Sequence, residues 1–405
     1  MKLKNQYMNR KKICLLTYDL RSGGAERVIS QWSILLQNLF DVYITTFRDE
    51  IMYPYAGTYT CLDVKDSYVS HLHRICNVVK RARALRKFVK KNDIDIVLSF
   101  CNECNLANTV SFHKAIKICS IRSASDLDTN TFVKYVVLSK KNRIIIQTEA
   151  LKKTMLNRYG NTISKKLFVY GNPFDVSKIK AMSMEQVSES LNNILNKHRC
   201  LINVGSFKGA KNHANLLKSF EIIANEVDDV FLILVGANLY NGDSVREMAK
   251  KSKFADRIIF TGETTNPFAI ESKCSIFVFP SLSEGIPNAL AEAMIVGLPV
   301  ISSNCPTGPA ELLSDTPLNI EYNNDDYCNA DYGVLVKPFS CESDFSYDNI
   351  NDENIRFAKP IIKALKDQNY YDDLKRKAER GASRFDIESY KNGLVSLINL
   401  IADEK

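Results

Sequence analysis

Two carboxylates, Glu284 and Glu292, stand eight residues apart in the segment Phe279-Pro280-Ser281-Leu282-Ser283-Glu284-Gly285-Ile286-Pro287-Asn288-Ala289-Leu290-Ala291-Glu292-Ala293-Met294. An ionised carboxylate only accepts hydrogen bonds, so such a pair can hold a sugar at one place and a ribose at another. The competing chemistry is a glycosidase acid/base pair, whose carboxyl groups sit about 5 to 9.5 Å apart. Eight residues of continuous helix rise about 12 Å, which argues for two holding groups. The local pattern also suits phosphate. A strand-like run ends at Pro280, and Gly285 permits a tight backbone path. Pro287 and Asn288 open a helix of strong formers, Ala289 to Met294, whose N-terminal N–H groups can face an anion. The bland reading is a surface loop with two solvated glutamates.

Two further loops carry similar chemistry. After the strand-like run Leu201 to Val204 comes Gly205-Ser206-Phe207-Lys208-Gly209-Ala210-Lys211-Asn212-His213. A strand, a glycine turn and a lysine before a helix suit a diphosphate. It is not a Walker A loop, because the glycine spacing differs and Asn212 follows Lys211. Near the start, Asp19-Leu20-Arg21-Ser22-Gly23-Gly24-Ala25-Glu26-Arg27 puts paired glycines before a helix, where backbone can approach a ligand closely. The alternatives are a solvated lysine in one case and a plain strand–helix turn in the other.

The segment around Glu284 and Glu292 resembles the E-x7-E donor motif of the GT4 family of GT-B glycosyltransferases. Gly297-Leu298-Pro299-Val300-Ile301-Ser302, Cys305-Pro306-Thr307-Gly308-Pro309-Ala310-Glu311 and the Gly23-Gly24-Ala25-Glu26-Arg27 loop are similar to the same family. The resemblance spans most of the chain. It implies that Glu284 contacts the transferred sugar, that Glu292 binds the ribose, and that Gly285, Ile286, Pro287 and Asn288 lie near sugar and diphosphate. It implies that Lys211 grips the diphosphate, with Gly205 and Ser206 beside it and Gly23 and Gly24 opposite. Where the family usually has an arginine partner for that lysine, this chain has Ser206, and Lys208 is a candidate substitute. Val169-Tyr170-Gly171-Asn172-Pro173 resembles the family's hinge-proximal segment, and Arg122 sits where relatives line the acceptor cleft. Retention of configuration, no obligatory metal and a nucleotide-sugar donor, UDP-linked, follow from the resemblance. So does a glycan or lipid-linked acceptor in polysaccharide assembly. A GT-B sugar-nucleotide 2-epimerase and a non-catalytic sugar-nucleotide-binding protein remain alternatives.

The elements that must position these residues are legible as apolar runs alternating with helix-like stretches. Runs near Ile13–Thr17, Val42–Thr46, Ile94–Ser99, Ile116–Ile121 and Ile144–Gln147 form one set. Runs near Leu201–Val204, Val230–Val235, Arg257–Phe260, Ile276–Phe279 and Val300–Ser302 form another. Fully apolar strands separated by helices predict parallel sheets covered on both faces. The fold class expected is α/β, with two Rossmann-like domains facing a central cleft. The boundaries expected are 1–175 for an acceptor-binding domain and 176–385 for a sugar-nucleotide domain. A terminal helix, 386–405, is expected to pack back toward the first. Asn319 to Asp331 reads as a surface loop.

The bulk properties narrow the class. The 405 residues are 45% apolar, enough for two cores. No apolar run approaches the roughly 18 residues that span a bilayer, and the polar start is too short of apolar residues for a signal peptide. Eleven scattered cysteines fit buried thiols better than a disulfide framework, so a cytoplasmic protein is expected. The net charge of +8 suits an anionic ligand or surface. Residues 71–91 concentrate it: Arg74, Lys80, Arg81, Arg83, Arg86, Lys87, Lys90 and Lys91 surround an apolar stripe that includes Leu72, Ile75, Val79, Leu85 and Phe88, with no acid. That is an amphipathic basic helix, either packed on the core with a solvated face or lying on the inner face of an anionic membrane. Nucleic acid is disfavoured because aromatic interleaving is missing. Cys101-Asn102-Glu103-Cys104 lacks the second pair a structural zinc requires. Asp93-Ile94-Asp95 and Asp126-Leu127-Asp128 are chance-level D-x-D matches, and no G-x-G-x-x-G follows the first strand.

Overall fold

The computed structural model describes residues 10–21, 23–64, 71–122, 127, 133–238, 241–341 and 344–403. Ser22, Asp126 and Asp128 of the motifs above lie outside them, as does the side chain of Leu72. The chain divides into two compact units, the first made of Met1–Pro173 with Ile387–Lys405 and the second of Phe174–Asp386.

Among the described residues the first unit holds seven strands: β1 (Lys12–Thr17), β2 (Asp41–Thr46), β3 (Thr58–Cys61), β4 (Ile96–Ser99), β5 (Ile116–Ile121), β6 (Asn142–Ile146) and β7 (Leu167–Val169). They lie in the order β3-β2-β1-β4-β5-β6-β7, all parallel. The order reverses direction at β1, so the loops leaving β1 and β4 diverge and leave room at the strands' carboxyl ends. Side chains alternate across the sheet as a period of two demands. Ile13 and Leu15 pack with Trp32 and Leu36 of the helix Gly24–Leu36, and with Leu394 and Ile398 of the helix Ile387–Asp403. Cys14 and Leu16 face the other way, against Leu85, Phe88 and Val89 of the helix His71–Asn92.

The second unit repeats the plan with β8 (Arg199–Val204), β9 (Val230–Val235), β10 (Ile258–Gly262), β11 (Ile276–Phe279), β12 (Val300–Ser303), β13 (Tyr327–Asn329) and β14 (Val334–Val336). Their order is β10-β9-β8-β11-β12-β14-β13. Every pair is parallel except β13 with β14, which is antiparallel with Tyr327 opposite Val336. One face is covered by the helices His213–Glu226 and Asp352–Lys366, the other by the helix Asn288–Ile295. The stretch after the first unit folds into helices Val176–Ser183 and Glu189–Lys197, which bury Ile179 and Leu195. Asp175 starts the first of these by accepting from the Lys178 N–H at 3.0 Å.

The ten anticipated strands are all present. Four others, β3, β7, β13 and β14, are three or four residues long and sit at or next to sheet edges. The expected loop Asn319–Asp331 therefore contains a strand, because three residues are too few to show a period of two.

Candidate functional site

β8 and β11 are neighbours in the second sheet, so the loops that leave their carboxyl ends are neighbours too. Those loops carry Lys211 and Glu284. The Lys211 ammonium lies 2.7 Å from Glu284 Oε1, with both side chains mostly buried. It also stands 5.0 Å from the centre of the Phe279 ring, a cation over a π face at the end of β11. The Lys211 stem crosses Gly205, where a Cβ would meet Lys211 Cε at 3.4 Å. Ser206 follows, half-buried, and Lys208 is exposed on the same turn.

Two backbone contacts set the height of the Glu284 loop. The Leu282 N–H donates to the Ala210 carbonyl at 2.8 Å, tying it to the short 3-10 turn Gly209–Lys211. On its far side the Thr307 hydroxyl donates to the Glu284 carbonyl. Gly308 has φ of 96°, and a Cβ there would lie 2.0 Å from the Gly285 carbonyl oxygen. Only glycine fits so close to that backbone. Pro287 is extended at the cap of the helix rather than in its first turn, which costs nothing because it has no N–H to leave unpaired. Asn288 is therefore the first helical residue, half-buried like Gly285 and Ile286. Glu292, one turn in, is buried.

The environment keeps the lysine as the site's chief cation. His213, buried beside it, has its pKa lowered to about 3, first by burial and then by Lys211, so it is neutral at pH 7. Burial, with Glu284 nearby, pushes the Cys305 thiol up, so it is a poor nucleophile. All eleven cysteines are free thiols. Among the described residues, no group of three or more His, Cys, Asp or Glu is placed to hold a metal.

In the first unit, Gly23 and Gly24 are exposed at the start of their helix, and Gly23 has φ of 145°. The loop is more acidic than its glycines suggest. The Glu26 carboxylate folds back over Gly23, where a Cβ would meet Glu26 Oε2 at 2.2 Å. Burial raises its pKa, and Asp19 adds to the rise. Arg21 pairs with Asp19 and with Glu50, each at 3.0 Å. Arg122, after β5, donates to Ser120 Oγ at 3.2 Å and to Asn172 Oδ1, and lies 5.5 Å from the Phe100 ring centre. Burial lowers its pKa to about 10, against the opposing pull of Tyr390 and Glu26. Asn172 is thus a partner of Arg122 as well as a turn residue, and Gln147 meets the same Asn172 oxygen at 2.7 Å.

Sequence reasoning missed Glu26 as a neighbour of Arg122, and Phe279, Thr307 and Asn212 as neighbours of the lysine–glutamate pair. The only available signal was their place inside motifs already singled out.

Residues 198–336, which contain both loops, match the family model described as glycosyl transferases group 1. An uncharacterised glycosyltransferase of Methanocaldococcus jannaschii is 28% identical over 337 residues, covering 77% of this chain and 80% of that protein. The N-acetylgalactosamine-N,N'-diacetylbacillosaminyl-diphospho-undecaprenol 4-alpha-N-acetylgalactosaminyltransferase of Campylobacter jejuni is 22% identical, covering 93% of this chain and 96% of that protein. Among solved structures, Anabaena HepE in complex with UDP and glucose superposes with a TM-score of 0.71 at 14% identity, covering 96% of this chain and 100% of that one. The family match on the unit that carries Lys211 and Glu284, these relatives and the solved structure together identify the chain as a glycosyltransferase of the GT-B fold.

Proposed function

We propose that the protein is a retaining GT4-type enzyme that moves a hexose or N-acetylhexosamine from a UDP-sugar to a lipid-linked saccharide. The observation that carries the donor site is the Lys211–Glu284 contact of 2.7 Å. It joins the cation a diphosphate needs to the carboxylate a sugar hydroxyl needs, at one point above the sheet. In this reading the pair is a placeholder. An arriving donor exchanges it: Lys211 turns to the diphosphate and Glu284 accepts from the sugar. Buried Glu292 holds the ribose, and the N–H groups at the start of the helix Asn288–Ile295 face the phosphates. Charge developing on the leaving diphosphate is stabilised by Lys211 and these fixed dipoles, with no metal required. In the first unit, Gly23 and Gly24 offer exposed backbone to a phosphate, and Arg122 is the cation assigned to the acceptor.

The lipid-linked acceptor is supported by the names of two Campylobacter jejuni relatives, both N-acetylgalactosaminyltransferases named for undecaprenol-linked saccharides. The UDP donor is supported by the HepE complex. Contact with an anionic membrane, at the cytoplasmic face of the cell membrane, is supported by the helix His71–Asn92. Arg83, Arg86, Lys87, Lys90 and Lys91 are exposed along it, together with Ile75 and Val79. No helix among the described residues is long and apolar enough to cross a membrane.

The deciding experiment is a thermal-shift panel of nucleotide sugars, followed by product analysis with the stabilising donor. One UDP-sugar should raise the melting temperature, and the product made with a lipid-linked acceptor should keep the donor's anomeric configuration. A sugar nucleotide epimerised without acceptor would establish the epimerase instead. Binding without turnover would establish the non-catalytic reading.

A further inference from the structure

The Lys211–Glu284 ion pair cannot be what holds the donor site in shape, because the donor must break it. Something else has to keep the lysine turn and the glutamate loop at a fixed separation. Asn212 is placed to do so. It follows Lys211 directly, is fully buried, and takes the left-handed conformation, φ 57° and ψ 41°. Its Nδ2 donates to the carbonyl of Pro280, at the root of the Glu284 loop, at 3.2 Å. One side chain therefore spans the two loops.

The direction of that amide is fixed from behind. Asn212 Oδ1 accepts from Asn215 Nδ2 at 2.9 Å, and Asn215 Oδ1 accepts from Asn354 Nδ2 at 2.9 Å. Asn354 Oδ1 in turn accepts from the Asn351 N–H at 3.0 Å, at the capping box of the helix Asp352–Lys366. Each oxygen in the relay accepts from a donor, which orients the Asn212 amide with its NH2 toward the Pro280 carbonyl. Buried polar chains of this kind are rigid when every member is satisfied.

We propose that Asn212 is a positioning residue for the transfer reaction. Backed by Asn215 and Asn354, it holds Lys211 at diphosphate distance from Glu284 once the ion pair has opened. The inference rests on the donor-site reading of Lys211, and the test separates the two.

UDP and UMP differ by the β-phosphate, so the ratio of their affinities reports how well the lysine is placed. Calorimetry on the full chain with both nucleotides gives that ratio for wild type, Lys211→Ala, Asn212→Asp and Asn212→Gly. Asp is isosteric but carries no donor toward Pro280. Gly keeps the left-handed backbone and also covers the case in which the Asp variant does not fold. Lys211→Ala should collapse the UDP/UMP preference. The Asn212 variants should lower it about tenfold, the scale of a displaced charge-assisted hydrogen bond, while UMP affinity stays near wild type. An unchanged ratio in both Asn212 variants, with Lys211→Ala impaired, overturns the positioning role. Equal loss of UDP and UMP affinity overturns it in favour of general structural support. An unchanged ratio in Lys211→Ala overturns the donor-site reading beneath it.

Discussion

Lys211 Nζ and Glu284 Oε1 meet at 2.7 Å although 73 residues separate them in the chain. The contact makes opposite predictions for binding and for transfer. Glu284→Gln removes the charge that competes with the diphosphate for the lysine, so UDP should bind about three- to tenfold more tightly, the scale of a partly buried ion pair. The same change weakens the group that holds the sugar, and transfer should fall about 10²-fold or more. Calorimetry with UDP and steady-state transfer give the two numbers. UDP affinity falling alongside transfer would rule out the placeholder role.

The second prediction compares two glycines with similar backbone and different surroundings. Gly308 and Gly297 have φ of 96° and 80°. A Cβ at Gly308 would strike the Gly285 carbonyl oxygen at 2.0 Å, whereas nothing lies within 4 Å of one at Gly297. Alanine at either position stores about 1–3 kcal/mol of backbone strain. Only Gly308→Ala should also push the Glu284 loop out of place. Both variants should melt at lower temperature, with transfer lost at least tenfold in Gly308→Ala and retained in Gly297→Ala. Equal activity in the two would mean that the Gly285 contact does not shape the site.

Acid sensitivity follows from His213. Its folded pKa of about 3 lies below the ordinary 6.5, with burial the main cause and Lys211 the second. The unfolded chain therefore binds a proton that the folded chain refuses. The stabilisation is complete above pH 6.5 and is lost as pH falls toward 3, by up to about 1.4 kcal/mol per pH unit from this one group. His113, lowered to about 4 by burial and then by Lys117, acts in the same direction. Denaturant titrations at pH 7.5, 6 and 5 should show stability dropping between the last two, and His213→Phe should flatten that slope. An identical slope in the variant would remove His213 as the cause.

The basic helix offers a test at residues remote from the donor loops. Arg83, Lys87 and Lys90 are exposed, whereas Arg81 is buried over the rings of Tyr18 and Phe47. Basic residues near an anionic bilayer contribute about 1 kcal/mol each. Arg83→Glu with Lys87→Glu should therefore reduce binding to phosphatidylglycerol vesicles by at least tenfold. Melting temperature and UDP affinity should hold. Undiminished vesicle binding would assign the helix to core packing alone. Arg81→Glu is a poor probe, since it removes a packed cation and so reports folding.

What the sequence discloses depends on how local the cause is. Strands such as Leu201–Val204 and Val230–Val235 are buried on both faces, so an unbroken apolar run announces them. Three-residue strands such as Leu167–Val169 carry too little pattern, and their pairing is decided by a neighbour far away in sequence. Glu284 and Lys211 stand out as residue types in motifs, but their contact depends on β8 and β11 lying side by side. Asn212 stands out in the sequence only as the residue after Lys211, because its bond to Pro280 spans 68 positions. The acidity around Gly23 was written in Asp19 and Glu26, yet only the fold brings the Glu26 carboxylate back over the glycine.

The helix Ile387–Asp403 belongs to the unit that begins the chain. Its Tyr390 accepts from Trp32 Nε1 and donates to the Gly171 carbonyl, each at 2.8 Å, while Leu394 and Ile398 fill the core under β1. The intervening unit is one unbroken run of residues, complete in itself. On the ribosome the order of completion is therefore inverted. The second-encoded unit can finish folding first, while the first waits, with the apolar wall around Trp32 uncovered, for the last helix to emerge. In that interval, apolar surface that the finished fold covers stays open to aggregation.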